Sequence, residues 1–358
     1  MTRTPAHGAD VYGPDGRPRA LLDFSSTVAP LRPPPGWERR ARAALGRLAL
    51  YPQPHSPALA AWIEARLKLP QGSVLAGSGS SECLDWMAGA ASGQDVWLES
   101  PCFGEYLPML RHAGARPKLL PPAKPGLRPA LVPKLKGLSK GWLWLADPAN
   151  PSGLSLAWDD LAALLGRARR QGLAVVLDEA LAAQQLAPRP AGLAALAAAK
   201  PGLALVRSLG KGLGLPGLRL GYLVAHPSLV ERLRPFTRPW SVNSLAQALG
   251  PWLLDTEWRL APALRRDLAN RKADLLRRLA PLAVRCLPSD SGAFLVALPP
   301  RGTAAEALAA RLSVLGILVR SCHTYGPWGR RCLRLNPREP KDNRALASAL
   351  AGLLPARA

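Results

Sequence analysis

The fold of this chain is indicated first by the stretch Arg207-Ser208-Leu209-Gly210-Lys211, which continues an apolar run over 203–206. The lysine lies between glycines, and Arg219 follows it eight residues later. The apolar run predicts a buried strand. The serine, lysine and arginine suit pyridoxal phosphate, because an amine forms its Schiff base while a hydroxyl and a guanidinium bind its phosphate. The alternative interpretation of this stretch alone is a solvated lysine in a glycine-rich loop.

Further apolar segments, with helical patterns between them, recur on both sides of this stretch. Such alternation is typical of an α/β domain with a largely parallel sheet. The seven segments that we expect in this sheet are 73–77, 95–99, 116–120, 142–146, 173–178, 203–207 and 219–225.

The clearest predicted helix covers residues 156–170. Ser155 is its candidate N-cap, Asp159 and Asp160 suit its first turn, and Gly172 ends it. One apolar face is predicted for Leu161, Leu164, Leu165 and Ala168. Residues 121–137 are rich in proline and lysine, which predicts a surface connection.

The C-terminal part predicts a smaller α+β domain. A long helical pattern over 241–279, interrupted near Pro251 and Pro262, leads into it. Short strands are expected at 293–298, 317–320 and 333–335. We therefore divide the chain into an N-terminal arm with part of the small domain (1–45), a large cofactor-binding α/β domain (46–250) and a small α+β domain (251–358).

The composition predicts a globular protein. The chain has 358 residues, of which 48% are hydrophobic, and this suffices for a full core. No apolar stretch reaches the ~18–20 residues of a membrane span. Met1-Thr2-Arg3-Thr4-Pro5 lacks the apolar core of a signal peptide, and the five cysteines form no C-x-x-C pair. We therefore expect a reduced, cytoplasmic protein without a membrane partner.

The formal net charge of +23 is spread along the chain and accompanies no recognisable nucleic-acid-binding motif. Such a charge permits anionic substrates. It does not predict a specific nucleic-acid partner.

A second candidate phosphate site is the turn Gly77-Ser78-Gly79-Ser80-Ser81-Glu82, which follows a predicted strand and opens a helix. Its free N–H groups and the Ser80 and Ser81 hydroxyls can bind an anion. Glu82 stands where a dinucleotide-binding G-x-G-x-x-G motif has its third glycine, so we reject that interpretation.

Three other side chains fit the same cofactor. Phe103 lies in a loop where it can stack on a pyridine ring, and Asn150 opens a turn where its amide can donate to the ring's O3′. Asp178 ends a buried strand, where a carboxylate is costly unless it is paired, and a pyridinium nitrogen is a suitable partner. Each signal is weak alone, because Phe103 could equally be a core residue and Asn150 could belong to any turn. Together, the lysine stretch, the glycine-serine turn, Phe103, Asn150 and Asp178 occur in an order that strongly indicates a pyridoxal phosphate site.

The order of these motifs resembles the fold-type I pyridoxal phosphate enzymes of the class I/II aminotransferase group over nearly the whole chain. Within that group it is most similar to the threonine-phosphate decarboxylases of cobalamin biosynthesis, whereas the histidinol-phosphate aminotransferases are similar at the cofactor motifs only. The most specific runs are Pro239-Trp240-Ser241-Val242-Asn243 and Ile317-Leu318-Val319-Arg320-Ser321-Cys322. Shorter matches are Ala6-His7-Gly8, Leu22-Asp23-Phe24-Ser25, Pro30-Leu31, Tyr51-Pro52, Phe103-Gly104-Glu105-Tyr106, Arg207-Ser208-Leu209 and 216–224.

The resemblance implies the fold-type I transferase fold and a homodimer whose active site is shared between subunits. It implies that Lys211 binds the cofactor and moves protons, that Asp178 pairs with the ring nitrogen N1, and that Phe103 stacks while Asn150 bonds O3′. The implied phosphate ligands are Ser80, Ser81, Ser208, Arg219 and, from the neighbouring subunit, Tyr51. The implied ligands of the anionic ends of the substrate are His7, Arg320 and Arg334.

The implied activity is decarboxylation of L-threonine O-3-phosphate, with Arg320 and Arg334 on the substrate phosphate. One alternative is an aminotransferase that acts on a phosphorylated amino acid or amine such as histidinol phosphate. Another is a non-catalytic basic binding protein, although the intact Lys211, Asp178 and Arg219 argue against it. For each of the two C-terminal arginines, the alternative is an ordinary surface residue.

The sequence also departs from the family pattern at a few positions. Thr27 and Ala29 stand where the family has asparagines, Ala149 replaces the first asparagine of Asn-Asn-Pro, and Leu181 replaces an aromatic residue. Asp147 is an unexpected acid. These departures concern the substrate rather than the cofactor chemistry.

Overall fold

The computed structural model describes residues 8–19, 21–28, 33–120, 131–188, 192–300 and 302–355. Over these residues the chain forms thirteen strands, numbered in chain order: β1 Leu22–Asp23, β2 Val74–Gly77, β3 Asp95–Leu98, β4 Arg116–Leu119, β5 Gly141–Ala146, β6 Leu173–Asp178, β7 Leu203–Leu209, β8 Leu220–Ala225, β9 Arg285–Cys286, β10 Phe294–Ala297, β11 Ile317–Leu318, β12 Arg320–Ser321 and β13 Cys332–Leu335. The same residues form eleven α-helices: α1 Trp37–Ala44, α2 Pro57–Leu67, α3 Ser80–Ala90, α4 Tyr106–His112, α5 Leu131–Lys134, α6 Trp158–Arg170, α7 Leu193–Ala199, α8 Pro227–Leu233, α9 Ser244–Leu279, α10 Ala305–Val314 and α11 Pro340–Leu353.

The large sheet contains seven strands in the order β2-β8-β7-β6-β5-β3-β4, and all seven predicted segments are confirmed in it. Strands β3 to β7 pair in parallel, while β8 runs antiparallel to β7 and β2. Along β6, Val175 and Leu177 pack into one core and Val176 into another. Both faces of the sheet are therefore covered, as expected for strands with continuous apolar runs.

The register of the large sheet brings the polar strand ends together. Asp178 at the end of β6 lies opposite Val206 of β7. Because parallel strands end at the same edge, Asp178 and the loop that follows β7 meet there.

A smaller antiparallel sheet has the order β12-β13-β10-β9. One face carries Phe294, Val296, Leu333 and Leu335, which form a third core with residues of α9, α10 and α11. The predicted strand over 317–320 is wrong as a single element. Its first part, β11, pairs in parallel with β1, and its second part, β12, joins the four-stranded sheet. The domain boundaries at 45 and 250 remain a prediction.

Helix α6 begins at Trp158 rather than at residue 156, and Ser155 is not its N-cap, so that prediction is wrong. The Ser155 N–H donates to Asp290 Oδ2 (2.8 Å) and the Leu156 N–H to Asp147 Oδ1 (3.0 Å), which holds both residues outside the helix. The unexpected acid at Asp147 therefore has a structural role.

Helix α9 runs without interruption for 36 residues through Pro251 and Pro262, where an interruption was predicted. Each proline removes one backbone N–H donor. Buried leucines on either side, including Leu253 and Leu275, pack the helix into two of the cores and offset that loss.

The predicted surface connection over 121–137 is only partly described, since 121–130 lie outside the described residues. Helix α5 follows, and Leu131 and Leu135 are buried in a core. This end of the connection therefore packs inward.

Candidate active site

A buried carboxylate and a lysine lie at the edge of the large sheet where β6 and β7 end. Asp178 is 7% exposed; its Oδ1 accepts from the Ala180 N–H (2.8 Å) and its Oδ2 from Tyr106 Oη (2.6 Å). Burial raises the pKa of Asp178, and the Tyr106 and Ala180 hydrogen bonds and the Lys211 charge oppose this rise. A carboxylate held in this way suits a cationic ring nitrogen.

Lys211 is half-buried in the loop after β7. Burial lowers the pKa of its amine; the Asp178 charge acts in the opposite direction, and the charges of Arg219 and Arg334 lower the pKa further. An amine with a lowered pKa is a better nucleophile near neutral pH, as covalent capture of a carbonyl requires.

Four of the five predicted phosphate ligands lie at or next to the N-terminus of α3, which begins at Ser80. Gly79 precedes it with φ +84°, and a Cβ there would lie 2.6 Å from Arg219 Nη2, so the guanidinium lies against this turn. Ser208 pairs with Gly221, where an added Cβ would lie 2.5 Å from the Ser80 nitrogen. The structure thus brings Ser80, Ser208 and Arg219 together in a cradle that suits a phosphate, with the exposed Ser81 one position further along the helix.

Phe103 is half-buried and is linked to Asp178 through Tyr106, a residue to which the sequence analysis gave no role. The Phe103 ring contacts the Tyr106 ring edge-on, with centroids 5.4 Å apart. Tyr106 in turn bonds Asp178. The sequence does place Tyr106 three residues after Phe103, at the start of a helix, but nothing in it indicates that the Tyr106 hydroxyl bonds Asp178.

The two C-terminal arginines are buried rather than ordinary surface residues, so that alternative is wrong. Arg320 and Arg334 are 4% and 6% exposed and lie directly opposite each other on β12 and β13. Arg320 Nη2 donates to Thr324 Oγ1 (2.9 Å). Arg334 Nη2 donates to the Ser25 carbonyl (2.7 Å), which connects the small sheet with the N-terminal segment.

Arg334 also connects the two arginines to the edge of the large sheet. Its Nη1 donates to Asn150 Oδ1 (2.8 Å), which also accepts from Tyr325 Oη (3.3 Å). A guanidinium can only donate, so the Asn150 atom that faces it is the amide oxygen. The Asn150 amino group then points elsewhere and is the group that can donate to a ligand. Tyr325 is a second residue that the sequence argument did not assign.

The other positions that the sequence singled out are exposed, buried without an assigned contact, or outside the described residues. Tyr51 is 84% exposed, and its ring lies 5.4 Å from that of Trp240. His7 and Ala29 fall outside the described residues. Leu181 and Ala149, two departures from the family pattern, are buried.

Two further classes of feature are missing from the part of the chain that the structure describes. No described helix is long and apolar enough to cross a membrane. No group of three or more His, Cys, Asp or Glu side chains in the same residues could hold a metal ion.

Comparison with known proteins identifies the family. The profile described as "Aminotransferase class I and II" matches residues 21–350, and the chain belongs to this family. It is similar to histidinol-phosphate aminotransferase 2 of Ralstonia nicotianae (30% identity, covering 93% of this chain and 89% of that protein). It is also similar to the threonine-phosphate decarboxylase of Salmonella typhimurium (28% identity, 94% and 92%). The crystal structure of L-threonine-O-3-phosphate decarboxylase from Porphyromonas gingivalis superposes with a TM-score of 0.78 (23% identity, 92% and 98%) and shares the fold.

The family has the fold-type I transferase fold and uses pyridoxal 5′-phosphate. The residues of this chain fit that cofactor. The α3 turn forms a cradle in which a Cβ on Gly79 would clash with Arg219, and the buried Asp178 carboxylate and the Lys211 amine lie at the adjoining strand ends.

Proposed function

We propose that the protein is a pyridoxal-phosphate-dependent decarboxylase that converts L-threonine O-3-phosphate into (R)-1-amino-2-propanol O-2-phosphate in cobalamin biosynthesis. The observation that carries this proposal is the pair of opposed, buried arginines, Arg320 and Arg334. A phosphate is dianionic near neutral pH, so two guanidiniums match it better than they match a monoanionic carboxylate. The relatives named for threonine phosphate and histidinol phosphate also support a phosphorylated substrate.

The cofactor would be held by Lys211, by Asp178 at its ring nitrogen, by Phe103 against its ring and by Asn150 at O3′. The cradle of Ser80, Ser81, Ser208 and Arg219 would hold its phosphate. When bound, pyridoxal phosphate supplies an electron sink for a bond that breaks at the substrate Cα. Asp178 would keep a negative charge beside the ring nitrogen, and protonated Lys211 would deliver a proton to Cα in place of the departing CO2.

The substrate group that the arginines hold decides which bond breaks. With Arg320 and Arg334 on the phosphate, the carboxylate can stand perpendicular to the conjugated plane, where its bond to Cα is the one that weakens. An arginine on the carboxylate would instead leave the Cα–H bond to break, which is the aminotransferase outcome. Arg334 donates two of its five N–H groups to Asn150 and Ser25, so others remain for a ligand.

The second candidate function is an aminotransferase that acts on a phosphorylated amine such as histidinol phosphate. The observation in its favour is the relative of that activity at 30% identity over 93% of this chain. The same arginines would then hold the phosphate of that substrate, and because histidinol phosphate has no carboxylate to lose, the Cα–H bond would be the one that breaks.

We further infer that two copies share the active site, with Tyr51 of one subunit reaching the cofactor phosphate of the other. Tyr51 lies in an exposed apolar surface, since Leu48 is 57%, Leu50 72% and Trp240 50% exposed. A surface of this kind is typical of an interface between proteins. Sedimentation at micromolar concentration tests this inference: a dimer is expected, and a fully active monomer of 38.1 kDa would contradict it.

The experiment that tests the activity measures CO2 release from threonine phosphate, with 2-oxoglutarate-dependent amino transfer from histidinol phosphate assayed alongside. CO2 release supports the decarboxylase. Rapid amino transfer without CO2 release would establish the second candidate. If neither reaction occurs, the substrate differs from both, and the departures at Thr27, Ala29 and Leu181 become the first positions to examine.

A further inference from the structure

Tyr106 is a buried side chain that contacts both Phe103, the predicted ring-stacking residue, and Asp178, the predicted partner of the ring nitrogen. Its hydroxyl lies 2.6 Å from Asp178 Oδ2. Its ring is 1% exposed and lies edge-on to Phe103 (5.4 Å) and to Trp144 (5.7 Å). Two ring contacts and one hydrogen bond fix both the position and the rotation of this side chain.

We propose that Tyr106 is a positioning residue of the active site, whose hydroxyl orients the Asp178 carboxylate and holds it in the anionic form beside the cofactor ring nitrogen. The inference rests on the proposed function for the role of Asp178. It assigns to Tyr106 no contact with cofactor or substrate.

The hydrogen bonds around Asp178 support this role. The Ala180 N–H can only donate, and it occupies Oδ1, while Tyr106 occupies Oδ2. A separation of 2.6 Å falls in the range typical of a hydroxyl that donates to an ionised carboxylate. With one donor on each oxygen, the carboxylate plane is fixed, and lone pairs remain on both oxygens for a third donor.

The electrostatic surroundings explain why the carboxylate needs this donor. Burial raises the pKa of Asp178. The hydrogen bonds from Tyr106 and Ala180 and the charge of Lys211 lower it. Burial and the neighbouring acidic groups Asp178, Cys102 and Glu99 raise the pKa of Tyr106 well above its usual value, so the phenol stays protonated and remains a donor. Cys83 also lies within electrostatic range of Asp178, and burial keeps that thiol neutral by raising its pKa. Without the Tyr106 hydroxyl, a larger fraction of Asp178 would be protonated and would attract a cationic ring nitrogen less.

The experiment measures the affinity of the cofactor-free protein for pyridoxal phosphate, followed by tryptophan fluorescence. Tyr106→Phe keeps the ring and removes the hydroxyl, and we expect its dissociation constant to rise by about ten-fold, as for the loss of a hydrogen bond to a charged group. The matched control is Tyr222→Phe, which removes another buried hydroxyl, one that lies 3.5 Å from Arg207. The control should bind the cofactor as the parent does.

A double variant separates a positioning role from a merely structural one. If Tyr106 acts through Asp178, then Tyr106→Phe causes no further loss of cofactor affinity when it is added to Asp178→Asn. Additive losses would overturn the proposal, and so would parent-like affinity of Tyr106→Phe when Asp178→Asn binds weakly. Parent-like affinity of Asp178→Asn would instead contradict the role that the proposed function gives to Asp178, and the Tyr106 proposal would fall with it. Cofactor binding does not depend on which substrate is used, so these results stand apart from the assays of CO2 release and amino transfer.

Discussion

The candidate site has two parts that are built in different ways. We call the part around Asp178 and Lys211 the cofactor side and the part around Arg320 and Arg334 the arginine side. On the cofactor side, Asp178 and Lys211 follow two neighbouring strands of one sheet, and each lies in a recognisable local motif. On the arginine side, Arg334 bonds Asn150 and Ser25, which are 184 and 309 residues away in the sequence. The proposed cofactor contacts therefore depend on local sequence motifs, whereas the proposed substrate contacts depend on how distant segments pack.

Electrostatics connect the two sides. The Arg334 charge is one of the causes that lower the pKa of Lys211, after burial and in the same direction as Arg219. Arg334 also bonds Asn150, the predicted O3′ ligand. A substitution on the arginine side is therefore expected to change cofactor binding as well. Single substitutions on each side can measure how strongly cofactor binding and substrate binding depend on each other.

The largest effect is expected from Lys211→Ala, which removes the amine of the cofactor side. Turnover of any substrate should be lost, because no other lysine lies in a cofactor motif. The absorbance band near ~420 nm in the purified parent reports the covalently bound cofactor, and it should be absent from the variant. Turnover at the parent rate would show that the cofactor assignment is wrong.

Asp178→Asn should come next, because it removes the charge that is proposed to face the ring nitrogen while preserving shape. Removing one preorganised electrostatic group from an active site costs roughly 2.7–4 kcal/mol of activation free energy, a decrease in kcat of about a hundred- to a thousand-fold. Far-ultraviolet circular dichroism should match that of the parent, and steady-state kinetics measures the loss. A variant with parent kinetics would remove Asp178 from the mechanism.

Asn150→Ala breaks the contact between the two sides, and we expect an intermediate effect. Arg334 and Tyr325 lose their common acceptor, and an unsatisfied buried donor costs about 1–3 kcal/mol. The free energy of unfolding in urea should fall by that amount, and cofactor and substrate should both bind more weakly. A change confined to one of the two affinities would indicate that Asn150 does not connect the two sides.

The smallest effect on activity is expected at Glu257, which lies next to Gly212 and has no assigned contact with cofactor or substrate. Its Oε2 is buried without a hydrogen-bond partner among the described residues, and burial raises the pKa of this carboxyl to about 7, with Arg207 opposing the rise. A raised carboxyl pKa destabilises the folded state above the unfolded pKa of 4.5, and the loss grows until about pH 7. Glu257→Gln should therefore be more stable than the parent at pH 8, by up to about 3 kcal/mol, and nearly equal to it near pH 4.5. Urea denaturation at both pH values measures this, and a difference that does not depend on pH would contradict it.

The elements that the sequence predicted well are those with local signals. Seven apolar runs became the seven strands of the large sheet, because alternation of strands and helices depends on neighbouring residues. The incorrect predictions depended on distant partners. Ser155 fails as a cap because its N–H bonds Asp290, 135 residues away, and the segment over 317–320 divides because its first part pairs with β1.

The candidate site follows the same rule. Asp178 and Lys211 could be assigned from the sequence, since a charged group at the end of an apolar strand is unusual. The roles of Tyr106 and Tyr325 could not, because a buried tyrosine is ordinary until its hydroxyl partner is known. Whether Arg320 and Arg334 were buried was equally open, because burial of an arginine depends on the sheet that surrounds it rather than on its neighbours in the chain.

The central claim is that the arginine side holds a phosphate, and Arg320→Ala tests it most directly, because Arg334 also supports Asn150. CO2 release is measured from threonine phosphate and from free threonine, with the exposed Arg330→Ala as the matched control. We expect the variant to lose roughly 2–4 kcal/mol of transition-state binding for threonine phosphate, seen as kcat/KM, and almost none for threonine, which has no phosphate. The control should act as the parent does. An equal loss for both substrates would contradict the account, because it would mean that Arg320 holds a group that threonine also carries.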